Sequence, residues 1–312
     1  MNEQLLNAYV PLVLWTTLGL MVRRWLPVWL PKRVGRSLYW VGIPLLIFSS
    51  AQRTEFSAEM GIAPVFSLGA VLLGLGLGQL ALLAISLRRR DQSAGHETRP
   101  VQGSLLLTSM LGNAGYLGLA IVPLLLEPQY GSIPALYVVT QSTVGTYGVG
   151  VLVASRYGDR ASLQWLTQLK RLVLVPTLWA FVLGFSTQNL ALPTVANYPI
   201  ALAKLVTAPC AFALMGIRLS EITRWRQLQL AFLPVIVKML AVPLSIAGIL
   251  TLLSVSSQTR LGLVLMAGMP SAFSCLILAE EYDLERPVIS GAIALSTPCL
   301  LATLPFWLWW LG

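Results

Sequence analysis

LGNAGYLG, Leu111 to Gly118, and AGMPSAFS, Ala267 to Ser274, are the two stretches on which the fold of this chain turns. Each sits mid-way along an apolar run long enough to span a bilayer. Each sets helix-disfavouring residues beside polar ones: Gly112, Asn113 and Gly115 in the first, Gly268, Pro270 and Ser271 in the second. Hydrocarbon does not tolerate unpaired N–H and C=O groups, so a broken spanning helix survives only where it is buried in protein or lines a polar cavity. Two such breaks predict a carrier-type binding site. Helices restarting after Asn113 and around Pro270 would aim free N–H groups and a positive dipole end at an anion. The plainer reading is two kinked helices whose small residues permit close packing.

The chain around these breaks is built for lipid. Of its 312 residues 56% are hydrophobic and only 11% charged, against about a quarter charged in soluble domains, and the mean hydropathy is +0.75. Ten apolar spans are expected, at 5–22, 34–51, 61–87, 102–126, 133–155, 170–186, 196–217, 228–253, 259–280 and 287–311. The net charge of +9 does not indicate a nucleic-acid partner, because the Lys and Arg residues sit in loops beside the spans and form no single water-facing surface. Cys210, Cys275 and Cys299 fall within spans without CxxC spacing, so neither a disulfide framework nor a metal site is expected, nor any other cofactor. The only histidine, His96, lies in a charged loop. No Ser or Cys nucleophile has a visible base, and an enzyme is not expected.

Charge orients the spans. Seventeen of the 21 basic residues fall in loops on one side, from Arg23 and Arg24 through Arg88 to Arg90 and on to Arg286, while the other side keeps Arg53 and Arg260. Cytoplasmic loops are the Lys/Arg-rich ones, so both termini are expected outside the cytoplasm of a cell-membrane protein. A repeat is also legible. PLVLWTTLG from Pro11 to Gly19 matches PTLWAFVLG from Pro176 to Gly184, and Pro44 follows Pro11 by the same interval, 33 residues, as Pro209 follows Pro176. Five spans repeated must invert, so residues 1–156 and 157–312 are expected to form two inverted five-helix units. That makes the fold class an all-α polytopic membrane protein.

Candidate binding residues follow from the breaks. Asn113 offers an amide; Gly112 and Pro270 make the breaks; Ser271 and Ser274 add hydroxyls, and Gln141 a buried amide on the fifth span. Gln141 reads equally well as a satisfied helix–helix hydrogen bond. All twelve Asp and Glu residues lie in loops or at span ends, which argues against a cation antiporter built on a buried carboxylate pair. Lys204 and Lys238 do fall inside spans. For Lys238 two readings stand level: positive potential for an anion site, or snorkelling and hydrogen bonding to carbonyls freed by Pro234 or Pro243; the second is preferred for Lys204. Gly74 and Gly78 read as a packing face, and TVGTYG, Thr143 to Gly148, is no potassium filter because an extra Thr interrupts it within a full-length span.

MPSAFSCLILAEEYDL, Met269 to Leu284, together with GNAGYLGLAIVPLL from Gly112 and VVTQS at Val138 to Ser142, resembles the auxin efflux carrier family, which includes the plant PIN carriers and shorter prokaryotic members. The resemblance covers nearly the whole chain. It implies ten helices in a five-plus-five inverted repeat, fourth and ninth helices crossing at midplane, and elevator-like export of organic anions by a scaffold and a transport part. It also implies that Asn113 meets the substrate carboxylate and that Gly112 and Pro270 form the crossing. Gly112 stands where plant members carry Pro, and the long cytoplasmic loop of many plant members is absent after Arg156, so regulation through that loop is not implied. The expected function is an efflux carrier for small organic anions such as auxin-like or other carboxylates, with the bilayer as its surroundings and a homodimer compatible with the sequence. A sodium- or proton-coupled symporter of the bile-acid type and a non-transporting membrane sensor are the alternatives.

Overall fold

The computed structural model describes residues 2–27, 29–53, 61–88, 98–158, 173–188, 190, 194–220 and 225–312. These are mostly helical, and no strand occurs among them. The helices are α1 (Asn2–Val22), α2 (Trp29–Ser37), α3 (Ile43–Arg53), α4 (Ile62–Arg88), α5 (Arg99–Met110), α6 (Leu119–Leu125), α7 (Ser132–Thr140), α8 (Val151–Tyr157), α9 (Pro176–Ser186), α10 (Thr194–Leu219), α11 (Trp225–Ile236), α12 (Val242–Leu252), α13 (Ser257–Ala267), α14 (Ser274–Tyr282) and α15 (Arg286–Leu311).

Six continuous helical runs among the described residues are long and apolar enough to cross a membrane: Trp29–Gln52, Ile62–Ala84, Pro128–Tyr157, Asn197–Leu219, Leu228–Leu252 and Arg286–Leu311. The fourth and ninth expected spans are not among the six because each is cut in two, α5 from Ala114–Leu125 and α13 from α14. The sixth is short for a different reason. Its described helix starts at Pro176, whose fixed φ and missing N–H suit a first helical position; residues 170–172 of that expected span lie outside the described ones.

Four π-helical segments interrupt these elements: Leu38–Gly42 before α3, Ala114–Gly118 before α6, Gln141–Gly150 between α7 and α8, and Val237–Ala241 before α12. Two of them have a direct cause in sequence. Pro44 and Pro243 each lack the N–H that would bond the carbonyl four residues back, Trp40 and Met239, and each ring crowds that carbonyl. A widened turn absorbs the conflict without breaking the helix. In Gln141–Gly150 the wide turn is supported from inside, where the Thr146 hydroxyl donates to the Gln141 carbonyl five residues back at 3.1 Å.

Packing gathers the helices into two groups that meet where α3 and α9 touch α7 and where α10 touches α15. α1 lies along α10, and α3 lies against α9 and α10; α4, α5, α7 and α8 pack with one another and with α11 to α15. Between two lipid-solvated helices no hydrophobic effect is available, so close backbone approach carries the contact. A Cβ on Gly19 would strike the Ala213 carbonyl and one on Gly216 the Thr16 carbonyl, so α1 and α10 are locked by reciprocal glycines. In the second group Gly74 does the same against Ser109 and Met110, as the packing-face reading of that glycine expects. Large apolar side chains such as Val65, Leu205 and Leu252 remain exposed on the outer surface, as suits a lipid-facing shell.

Candidate functional site

The two breaks meet. After α5 the backbone extends through Leu111 to Asn113, and after α13 it extends from Gly268 to Phe273; Gly112 pairs with Ser271 in an isolated antiparallel bridge. Asn113 N–H donates to the Pro270 carbonyl at 2.6 Å and Ala272 N–H to the Leu111 carbonyl at 3.0 Å. Each break thus supplies the partners its counterpart lost, which is the condition for irregular backbone inside an apolar medium.

Side chains pin this crossing from three directions. Ser271 is fully buried; its hydroxyl donates to the Thr108 carbonyl at 3.0 Å and its N–H to the Ser296 hydroxyl at 3.1 Å. Gln141 donates from Nε2 to the Gly112 carbonyl, while its buried Oε1 has no partner. Lys238, fully buried on the π-helical turn before α12, donates from Nζ to the Ala267 carbonyl at 2.9 Å. That carbonyl belongs to the last residue of α13, freed by the break itself. Lys238 therefore does not snorkel, and its partner is neither carbonyl expected from Pro234 or Pro243. It also sets the identity of Gly112: a Cβ there would lie 2.8 Å from Lys238 Cε and 3.0 Å from Nζ. Lys204, by contrast, is exposed on α10.

On the other side of the crossing lies a cavity of about 100 Å³. Gly112, Asn113 and Gln141 line it, with Tyr39, Tyr116, Ser142, Thr146, Tyr147, Thr177, Phe273 and Ser274 among the remaining walls, and among the described residues no charged side chain does. The Asn113 side chain makes no cap to its own helix. Its backbone carbonyl is used, accepting from Leu117 and Gly118 at 3.1 and 3.2 Å, but the N–H groups of Ala114, Gly115 and Tyr116 have no backbone acceptor among the described residues. Those are the orphan donors of a helix start, here a twelve-residue apolar helix, Ala114–Leu125. The opening of α14, at Phe273 and Ser274, borders the same space. The cavity can therefore offer an anion donors and two positive dipole ends without a fixed cation.

Five of its walls, Tyr39, Thr146, Tyr147, Ser274 and Ile277, are shared with an adjoining vestibule of about 380 Å³ that reaches Glu281, Trp40 and Leu174. The hydroxyls of Tyr39 and Tyr147 lie 3.1 Å apart at that shared wall. Tyr116 meets Phe273 edge-on, with centroids 5.9 Å apart, and donates to the Gly35 carbonyl at 3.2 Å.

Of the residues singled out in the sequence, Asn113, Gly112, Gln141 and Ser274 line the cavity; Pro270 contributes its carbonyl to the crossing, and Ser271 and Lys238 stand behind it. The tyrosines and Thr177 were not expected there. Tyr39, Tyr116 and Tyr147 all lie on π-helical segments, as does Lys238, and the segments carrying Tyr39 and Lys238 end two residues before a proline.

A family of membrane transport proteins matches the chain from residue 38 to residue 308. An uncharacterized transporter of Methanothermobacter thermautotrophicus is 29% identical over 270 residues, covering 86% of this chain and 84% of the relative. A second uncharacterized transporter, from Methanocaldococcus jannaschii, is 23% identical over 211 residues, covering 66% of this chain and 68% of the relative. With the family matched across most of its length and through both breaks, this chain belongs to the membrane transport protein family of the auxin efflux carriers.

Proposed function

We propose that this protein is a secondary carrier for small organic anions, built from ten helices as two inverted five-helix units whose fourth and ninth helices cross at midplane. The observation that carries the reading is the convergence of two interrupted helices on one cavity, where the start of Ala114–Leu125, the start of α14 and the Asn113 amide all face the same space. A carboxylate is the simplest ligand for such a set of donors, and the size of the inner cavity favours a small one.

The division of packing supports an elevator-like movement: α1, α3, α9 and α10 form a frame, and the helices bearing the crossing form the moving part. Under the charge rule for loops, the vestibule by Glu281 opens to the cytoplasm, because the short loop after α14 leads to Arg286 on the basic side. The conformation is then inward-open.

The test is a thermal-shift screen of organic acids on the purified protein, followed by flux into proteoliposomes. A ligand held only by the folded state raises stability by about 2.7 kcal/mol at a hundred times its Kd. A carboxylate that stabilises the wild type and not Asn113→Ala, and that is transported by the wild type alone, is the expected result. Hits that stabilise both proteins alike would remove Asn113 from the site. Stabilisation without flux would leave a sensor in place of a carrier.

A further inference from the structure

The link between α1 and α3 has a composition that transport does not require. Arg23 to Ser37, RRWLPVWLPKRVGRS, holds five basic residues and no acidic one. The corresponding stretch of the second half by the repeat, 188–202, reads QNLALPTVANYPIAL and holds no basic residue. Arg24, Lys32, Arg33 and Arg36 are exposed. So are the indoles of Trp25, Trp29 and Trp40, at 64%, 51% and 56%. The cations are placed by these rings: Arg24 lies 4.1 Å over Trp25 and Arg33 lies 4.5 Å over Trp29. An indole favours the headgroup level of a bilayer, and a guanidinium stacked on it retains its planar donor fork for phosphate.

We propose that Arg23–Ser37 is a binding site for anionic phospholipid headgroups, with the exposed tryptophans setting its depth and Lys32, Arg33 and Arg36 receiving the phosphate. Occupancy reaches the carrier site through one bond. The Tyr116 hydroxyl, on a wall of the cavity, donates to the carbonyl of Gly35 within α2, so a headgroup that holds α2 in place also holds that wall. The leaflet concerned rests on the orientation proposed above; the binding does not.

The experiment compares phosphatidylglycerol with phosphatidylcholine, by native mass spectrometry of bound lipid and by the thermal midpoint in mixed micelles. The variants are Lys32→Gln/Arg33→Gln/Arg36→Gln and, as a control that removes equal charge from another basic loop, Arg88→Gln/Arg89→Gln/Arg90→Gln. The expected result is that phosphatidylglycerol binds and stabilises the wild type and the control, while the first variant binds it roughly tenfold or more weakly, as the loss of several surface cations implies. Equal loss in both triple variants would mean attraction by net charge with no site, and no loss in either would put the lipid elsewhere; each result overturns the proposal. Because a triple variant can misfold, Arg24→Lys/Arg33→Lys keeps the charge and removes only the stacked fork, with a several-fold weakening expected and unchanged binding counting against the site. sn-Glycerol 3-phosphate, a soluble probe of the same chemistry, is expected to leave the midpoint unmoved, and stabilisation equal to that by the lipid would replace the membrane assignment by a soluble phosphate.

Discussion

The two breaks are made from similar residues and are held very differently. In the ninth-helix break the polar groups at the crossing are engaged: Ser271 bonds Thr108 and Ser296, the Pro270 carbonyl takes the Asn113 N–H, and the Ala267 carbonyl takes Lys238, which leaves the start of α14 at Ser274 to border the cavity. In the fourth-helix break the backbone is tied down, but the Asn113 amide and the N–H groups of the following turn are left toward a cavity. One segment is a clamp and the other is the surface it presents. Polarity at a helix break is therefore no guide to binding until the partners are counted.

The clamp should be expensive to damage, and Lys238 most of all. Lys238→Ala deletes a fully buried stem and orphans the Ala267 carbonyl, and an unfolding free-energy loss of roughly 2–5 kcal/mol is expected from truncations of this size. Steric-trap or SDS unfolding would measure it, and a loss under about 1 kcal/mol would mean that Lys238 is not part of the clamp. Next comes Gly112→Ala, which drives a methyl into Lys238 and should cost about 1–3 kcal/mol. Because the two closest approaches are to that one side chain, with the Met269 carbonyl next at 3.3 Å, the same substitution made on a Lys238→Ala background should cost much less. Additive losses would break the account of why residue 112 is glycine.

Much of this is legible in the sequence, for identifiable reasons. Gly112, Asn113 and Pro270 announce a break because each conflicts with an apolar helix, and the Lys/Arg loops mark the spans. The partner of Lys238 was not legible, since Ala267 is distant in the chain and offers only a main-chain carbonyl, which any residue has. Ser271 reads as a ligand hydroxyl, and in the structure that hydroxyl donates to the Thr108 carbonyl; a serine has the same sequence signature in both roles. The cavity tyrosines were missed because an aromatic residue in a membrane span is ordinarily lipid-facing or packing. Lys238 stands out in the sequence as a charge inside an apolar span, whereas for Tyr39 the one local signal is the nearby Pro44, which widens the turn that carries it.

Smaller effects sharpen the contrast between the breaks. Ser271→Ala leaves the N–H bond to Ser296 and removes only the hydroxyl bond to Thr108, so a loss of about 1 kcal/mol is expected, the usual worth of one hydrogen bond between membrane helices or slightly above it. Affinity for any carboxylate that stabilises the wild type should stay the same, since the hydroxyl lies behind the crossing. Asn113→Ala should cost least of all. Its backbone N–H still reaches Pro270 and its carbonyl still accepts from Leu117 and Gly118, while no cap is lost with the amide, so apo stability should change by less than about 0.5 kcal/mol. The same variant is the one expected to lose ligand stabilisation and flux. If Asn113→Ala instead destabilises the apo protein more than Ser271→Ala does, the amide is a structural group and the roles of the two breaks must be exchanged.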